Sequence, residues 1–278
     1  MSNLYEAVLA HAMKPAEENE GDYRVNDILY CGKCKTAKEM AIQGFPNPGE
    51  TRVVRILCKC EEARLDAEAQ DQKKHERELR INETMLALER IGAIDDPNET
   101  FGESDCANVK NEQTMRKYAE RFEVAFKENI GILLSGKKGS GKTFYAQCIA
   151  NELMDRGYMV MYTSMRLLAD VPKDEKAFVM SCVKKCDLLV LDDLCAERDT
   201  EYMAEKTFEV INARYEAKKP MIITTNIGLE DMGAEEDLKY SRIFQRVLEM
   251  CKPIVIVGSG RRIAASAEKA SAWKRLME

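Results

Sequence analysis

From Asn111 onward the apolar residues alternate between two patterns, which predicts helices packed against buried strands. Met115, Tyr118, Ala119, Phe122 and Ala125 or Phe126 recur at helical spacing and share one face. Ile130-Gly131-Ile132-Leu133-Leu134 follows, a short run that is apolar throughout, as a strand covered on both faces must be. A helix over about 142–156 leads to a strand around Val160-Met161-Tyr162-Thr163, and helices within 165–185 precede Leu188-Leu189-Val190-Leu191. Ala204, Phe208, Ile211 and Tyr215 mark another amphipathic helix before Met221-Ile222-Ile223-Thr224. Helices near 235–250 then lead to a last strand over Ile254–Val257. Strands of four to six residues separated by helices predict an α/β fold built on a parallel sheet.

The chain before Asn111 has a different texture. A short helical start carries Leu4, Val8 and Met13, and a segment rich in Cys, Gly and Pro runs from Tyr30 to Cys60. Residues 61–91 hold six Lys/Arg and nine Asp/Glu with no Gly or Pro, which predicts a solvated helix joining two modules. Gly92 to about Lys110 reads as a linker, with Asp95-Asp96-Pro97-Asn98 and Gly102. The expected division is therefore 1–60, a small N-terminal module; 61–110, charged helix and linker; and 111–278, the α/β domain.

Composition narrows the class. With 45% hydrophobic and 32% charged residues, the chain is globular rather than disordered. Ten scattered cysteines in 278 residues are too dilute for a disulfide scaffold. No apolar run approaches the ~18–20 residues of a membrane helix, and Met1-Ser2-Asn3-Leu4-Tyr5-Glu6 lacks the features of a signal peptide. A cytoplasmic protein with no membrane partner is expected. The net charge of −6 argues against nucleic-acid binding by a uniformly basic surface, yet the sum hides local excess. Residues 31–60 carry six Lys/Arg against two Asp/Glu, and residues 239–278 carry nine against three. Either stretch is ordinary solvated surface or a face that tracks single-stranded DNA.

Three strand ends carry candidate chemistry. Gly136-Lys137-Lys138-Gly139-Ser140-Gly141-Lys142-Thr143 fits the phosphate-binding pattern G-x-x-x-x-G-K-[ST], between a buried strand and a helix. Backbone N–H groups freed by the glycines curl around phosphate oxygens, Lys142 reaches the β/γ-phosphates, and Thr143 offers a hydroxyl to Mg²⁺. Asp192 and Asp193 end the strand Leu188–Leu191, where α/β sheets bind ligands. Asp192 is the candidate Mg²⁺ ligand, and Asp193 the candidate to orient and deprotonate an attacking water. Asn226 ends Thr224-Thr225-Asn226 and is placed to hold that water or the γ-phosphate, although a strand-terminal Asn also forms turns.

Cys31-Gly32-Lys33-Cys34 and Cys58-Lys59-Cys60 give C-x₂-C, 23 intervening residues, and C-x-C. Four thiolates of this kind suit tetrahedral Zn²⁺ in a closed structural site. So short a region buries little core, and metal binding would supply its folding energy. A redox C-x-x-C is the rival reading, without the strand–helix context it needs. Cysteines 106, 148, 182, 186, 195 and 251 read as small buried residues, and His11 and His75 sit apart from the cluster.

The phosphate loop, Leu-Leu-Val-Leu-Asp-Asp-Leu, Glu197-Arg198-Asp199-Thr200, Ile-Thr-Thr-Asn and Arg242-Ile-Phe-Gln-Arg246-Val together resemble the AAA+ replicative helicase loaders of the DnaC/DnaI type, particularly phage and prophage forms. The resemblance covers roughly residues 95–262 and is shared by the transposon-associated IstB ATPases. It implies a P-loop NTPase of AAA+ type with a five-stranded parallel sheet, and ATP hydrolysed at subunit interfaces of a homo-oligomeric ring or spiral. It also implies a hexameric replicative DNA helicase as partner, held through the N-terminal module and loaded onto single-stranded DNA. By resemblance Arg246 matches the arginine finger supplied in trans, Arg242 a supporting basic position, and Arg261 a second sensor of the γ-phosphate. Thr100-Phe101 matches a segment near the adenine, with core packing as the other reading of Phe101.

Asp193 stands where many AAA+ enzymes carry Glu, which predicts slow, partner-dependent hydrolysis. Gln245 stands where related loaders often have Asp. Only 17 residues follow Arg261, which predicts a core without a full helical lid. The alternatives are an IstB-like ATPase partner of a transposase, a weakly hydrolysing nucleotide-switched adaptor, and, less favoured, a small-molecule P-loop kinase.

Overall fold

A computed structural model describes residues 16–44, 49–95, 97–101, 109–194, 201–235, 237–257 and 273–277. The chain forms two compact units, Met1–Leu79 and Arg80–Glu278.

The first unit is built from two antiparallel hairpins. Strands β1 (Tyr23–Val25) and β2 (Ile28–Tyr30) join through Asn26 and Asp27, both at positive φ, the backbone that a two-residue hairpin turn requires. Strands β3 (Glu39–Gln43) and β4 (Thr51–Arg55) form the second pair. Helix α1 (Lys59–Arg90) runs through the boundary between the units. Its first two-thirds is exposed almost throughout, whereas Leu88 near its end is fully buried. The apolar core of the first unit is small, with Leu29, Val54, Cys31 and Cys58 its most buried members from Leu29 onward. At the cluster, Gly32 is needed because a Cβ there would lie 2.1 Å from the Gly21 carbonyl oxygen. A buried ion pair braces this knuckle: Lys38 donates to Asp22 Oδ2 at 2.7 Å, while Asp22 Oδ1 accepts from the Gly32 N–H at 2.8 Å.

The second unit opens with α2 (Val109–Glu120) and α3 (Phe122–Lys127), broken at Arg121 within the single face expected from the sequence. There follow β5 (Gly131–Ser135), α4 (Lys142–Asp155), β6 (Val160–Ser164), α5 (Met165–Asp170), α6 (Lys176–Lys185) and β7 (Leu188–Asp192). Then come α7 (Glu201–Ala217), β8 (Met221–Thr225), α8 (Leu229–Gly233), α9 (Leu238–Met250) and β9 (Cys251–Val255). The five strands pair in parallel in the order β6-β7-β8-β5-β9. Successive strand residues feed opposite faces: Leu188 and Val190 pack with α2–α4, and Leu189 and Leu191 with α5–α7, α9 and the end of α1. This is the expected α/β architecture.

The last strand begins earlier than its apolar run predicts, because β9 pairs through Pro253, opposite Leu133. Proline lacks the ladder donor and is tolerated there because β9 is an edge strand. At the amino ends of the inner strands β7 and β8, Arg214 of α7 is fully buried. Its guanidinium donates to the carbonyls of Val183 and Cys186 at 2.9 Å, Asp187 at 3.4 Å, and Pro220. It thereby ties the end of α6 to the starts of β7 and β8.

Candidate functional site

The strand order decides what meets at the carboxyl ends. Strand β8 lies between β5, which feeds the phosphate loop, and β7, which ends in Asp192. Asn226, just past β8, is therefore flanked by Lys142 and Asp193. Lys142 Nζ donates to Asn226 Oδ1 at 2.8 Å and to the Gly136 and Lys137 carbonyls at 2.9 and 3.1 Å. Asn226 Nδ2 donates to Asp193 Oδ1 at 2.9 Å. One side-chain amide thus spans the loop lysine and the second aspartate.

Asp192 is held from two sides. Thr143 Oγ1 donates to its carboxylate at 3.1 and 3.2 Å, and Thr224 Oγ1 to Oδ1 at 2.6 Å. Thr224 Oγ1 in turn accepts the Asp193 N–H at 2.8 Å, fixing a backbone turn in which Asp193 has φ +55°. That left-handed conformation is uncommon for a residue with a Cβ, and it leaves the Asp193 side chain exposed at the strand end. Beneath, burial pushes the Tyr162 phenol far above its ordinary range, and the nearby Asp192 charge adds to the effect.

The loop fits a polyphosphate. Gly136 has φ +156°, and a Cβ there would lie 2.4 Å from the Ile256 carbonyl oxygen. Lys142 is buried, Lys137 and Lys138 are exposed, and the first turn of α4 carries no acidic residue to oppose an anion. Ser140 Oγ is buried without a hydrogen-bond partner among the described residues, the condition an added anion would relieve. A cleft of about 300 Å³ opens there, lined by Gly139, Gly141, Lys142 and Thr143 together with Glu99, Phe144 and Gln147. The hard oxygen donors of Thr143 and Asp192 suit Mg²⁺.

Phe101 is buried among Met115, Ala119 and Phe122 and is not part of the cleft wall; the Arg116 guanidinium lies 4.7 Å from its ring centre. Of the two arginines four apart on α9, Arg242 is exposed. Arg246 is stacked within its own chain, its guanidinium 4.5 Å from the Phe208 ring and 5.4 Å from the Tyr215 ring, both on α7. Arg261 and Glu197–Thr200 lie outside the described residues, as does most of the segment on which the missing-lid expectation rests, of which only 273–277 are described.

In the first unit the Sγ atoms of Cys31, Cys34, Cys58 and Cys60 all lie within 4.8 Å of one another. Cys60 Sγ is 3.4 Å from that of Cys31 and 3.3 Å from that of Cys58. A tetrahedral Zn²⁺ with bonds of about 2.3 Å needs sulfurs about 3.8 Å apart, so the cluster has the size for one ion. The Thr36 hydroxyl and N–H hold the Cys34 thiol down to about 5, whereas the Cys58, Cys31 and Cys34 thiols push Cys60 up to about 12. Ionising all four thiols at this spacing sets their charges against one another, and a divalent cation would remove that repulsion. Around them Lys33, Lys35, Arg52 and Lys59 are exposed, but Lys38 is buried on Asp22 and Arg55 pairs with Glu61 at 2.7 Å. The basic excess of residues 31–60 is thus smaller at the surface than in the sequence.

Sequence reasoning missed Thr224, Glu99, Gln147 and the Asp22–Lys38 pair. Only Thr224 left a signal, since it stands two residues before Asn226 at the end of the same apolar run.

A parallel sheet with a phosphate loop on one strand, paired aspartates two strands away and an amide on the strand between defines a P-loop nucleotide-binding module of the AAA+ type. The chain belongs to the family of IstB-like ATP binding proteins, whose family model matches residues 62–269. It is similar to the replicative helicase loader DnaI of Bacillus subtilis (strain 168), 30% identical over 150 residues, or 48% of this chain and 47% of that protein. It therefore spans about half the length of that curated relative. It is also similar to the phage-like element PBSX protein XkdC of the same organism, 25% identical over 198 residues, covering 68% of this chain and 72% of the other. Among solved structures, one described as a DNA replication initiation factor shares the fold at a TM-score of 0.50 and 21% identity, over 65% of this chain and 56% of that one. Among the described residues no helix is long and apolar enough to cross a membrane.

Proposed function

We propose that this protein is an ATP-hydrolysing helicase loader of the phage or prophage kind, which places a hexameric replicative DNA helicase on single-stranded DNA. The observation that carries the ATPase part is the bridge from Lys142 through Asn226 to Asp193 beside the Thr143–Asp192 pair. Similarity to a helicase loader supports the biological role.

In this reading the loop from Gly136 to Thr143 cradles the phosphates, and Lys142 turns its ammonium to the β/γ oxygens. Thr143 and Asp192 hold Mg²⁺, which would neutralise charge developing on the phosphates. Asp193 orients and deprotonates the attacking water, and Asn226 fixes Asp193 and senses the γ-phosphate. Hydrolysis is completed by an arginine from a neighbouring subunit of a ring or spiral. The sequence favours Arg246 and the exposure of Arg242 favours Arg242, with Arg261 as a second sensor. Residues 1–60, folded around Zn²⁺ on Cys31, Cys34, Cys58 and Cys60, hold the helicase, and the exposed basic residues track DNA. The protein works in the cytoplasm.

The test is co-purification with the replicative helicase, with and without ATP, for wild type and Lys142→Ala. An ATP-sensitive complex lost in Lys142→Ala supports the loader; no complex in either state overturns it. A second reading, a nucleotide-switched adaptor that scarcely turns over, is favoured by Asp193, whose short side chain is tied to Asn226. Turnover that stays negligible with helicase and single-stranded DNA both present would select it.

A further inference from the structure

Within the second unit, residues 93–95 and 97–101, which have the composition of a linker, are held by bonds to their backbone. The Asp95 N–H donates to the Tyr162 carbonyl at 2.9 Å, along the outer edge of β6. Thr163 Oγ1 donates to the Ala93 carbonyl at 2.7 Å, and Arg116 Nη2 to the Phe101 carbonyl at 2.5 Å. Between these anchors Asn151 Nδ2 donates to two carbonyls, Pro97 at 2.6 Å and Glu99 at 2.8 Å. Asn151 stands on α4 nine residues after Lys142, so the helix that points at the phosphate loop also holds this strap. Glu99, within the strap, forms the cleft wall with Phe144 and Gln147 of the first turns of α4.

We propose that Asn151 is a positioning residue for the base side of the nucleotide cleft. Its amide fixes the strap so that Glu99 stays opposite Gln147 of α4, on the side of the cleft that would take the base of a bound purine nucleoside triphosphate. The inference rests on the reading of the phosphate loop as a nucleotide site and names a residue that acts through the strap, without touching the phosphates. An amide is suited to the task because its two N–H groups can satisfy two carbonyls at once, which a hydroxyl cannot. A carboxylate in its place would repel both carbonyls. Loss of the amide releases the strap between its anchors at Asp95 and Phe101, where Glu99 lies, and leaves the phosphate loop as it is. Interactions with the base therefore weaken, while those with the triphosphate persist.

The experiment compares ATP with inorganic tripolyphosphate on the full-length protein by calorimetry, for wild type and Asn151→Ala. The expected result is an ATP Kd raised about tenfold, the scale of two lost neutral hydrogen bonds, with the tripolyphosphate Kd unchanged. In turnover assays KM for ATP rises in the same proportion and kcat holds. An unchanged ATP Kd, or equal losses on both ligands, overturns the proposal. If wild type binds neither ligand, the nucleotide-site reading itself fails and takes the proposal with it. Should Asn151→Ala not fold, Asn151→Gln carries the same comparison, since it keeps the donor group but displaces it by one methylene. A smaller loss on ATP alone is then expected, and no loss, or an equal one on both ligands, again counts against Asn151.

Discussion

Asn226 and Asp193, 33 positions apart in sequence, are joined by a 2.9 Å hydrogen bond from the amide to the carboxylate. The same amide accepts from Lys142, so a γ-phosphate that draws Lys142 away alters the partner of the group holding Asp193. Asn226→Ala is expected to lower kcat for ATP hydrolysis by about 10²-fold, the scale seen when one oriented donor is removed from a reacting centre. ATP affinity should change far less. Steady-state phosphate release alongside equilibrium binding makes the comparison, and wild-type turnover would remove Asn226 from the machinery.

The two arginines of α9 should separate by stability. Arg246→Ala loses a guanidinium packed on Phe208 and Tyr215, and thermal unfolding should show about 1 kcal/mol of destabilisation. Arg242→Ala removes an exposed side chain and should leave the melting temperature where it was while slowing turnover in the assembled protein. A lower melting temperature for Arg242→Ala, with Arg246→Ala unaffected, would reverse the assignment.

Metal analysis of purified protein should find one zinc per chain, lost in Cys58→Ser. Stripping with a chelator should open residues 16–58 to proteolysis, because so little apolar surface is buried there. Protons compete with the metal for the thiolates, so retention should weaken as the pH falls. Full zinc content in Cys58→Ser would exclude Cys58 as a ligand.

Acid should act on the same unit through Asp22. The hydrogen bond from Lys38, followed by those from the Asn19 and Gly32 N–H groups, lowers its pKa from 3.8 to about 2. A carboxylate with a depressed folded pKa contributes stability that is complete above its ordinary value and is lost as the pH falls through the folded one. The contribution should therefore disappear between about pH 4 and pH 2. Wild type should show this loss in acid titrations of the Tyr23 and Tyr30 signals, and Asp22→Asn should lack it. A parallel response in both proteins would rule out Asp22 as the source.

The core strands were readable because a strand covered on both faces must be apolar at consecutive positions, and β5 to β8 are. Strand β9 was misplaced by three residues at its start, since Pro253 argues against a strand anywhere but at an edge, and edge position is a property of the whole sheet. The phosphate loop and Asp192 were legible because their chemistry is contiguous in sequence. The N-terminal hairpins were not, being short strands with exposed faces and no apolar alternation. Nor was the strap, whose order comes from side chains of Asn151, Thr163 and Arg116 reaching its carbonyls across 15 to 70 positions. A buried Arg214 within an otherwise ordinary amphipathic helix gave no warning either, since sequence pattern assigns arginine to the surface.

That arginine has a mechanical consequence. It clamps the starts of β7 and β8 through backbone carbonyls, while Asp192, Thr224 and Asn226 sit at the opposite ends of the same two strands. The pair resembles a beam held at one end, where slippage of one strand past the other would break the bonds to Arg214. A rearrangement at the carboxyl ends of these strands therefore has its fixed point at their amino ends, on Arg214. The register of Asp192 with Thr224 and Asn226 is thus set from the far ends of their strands as well as by the bonds between them.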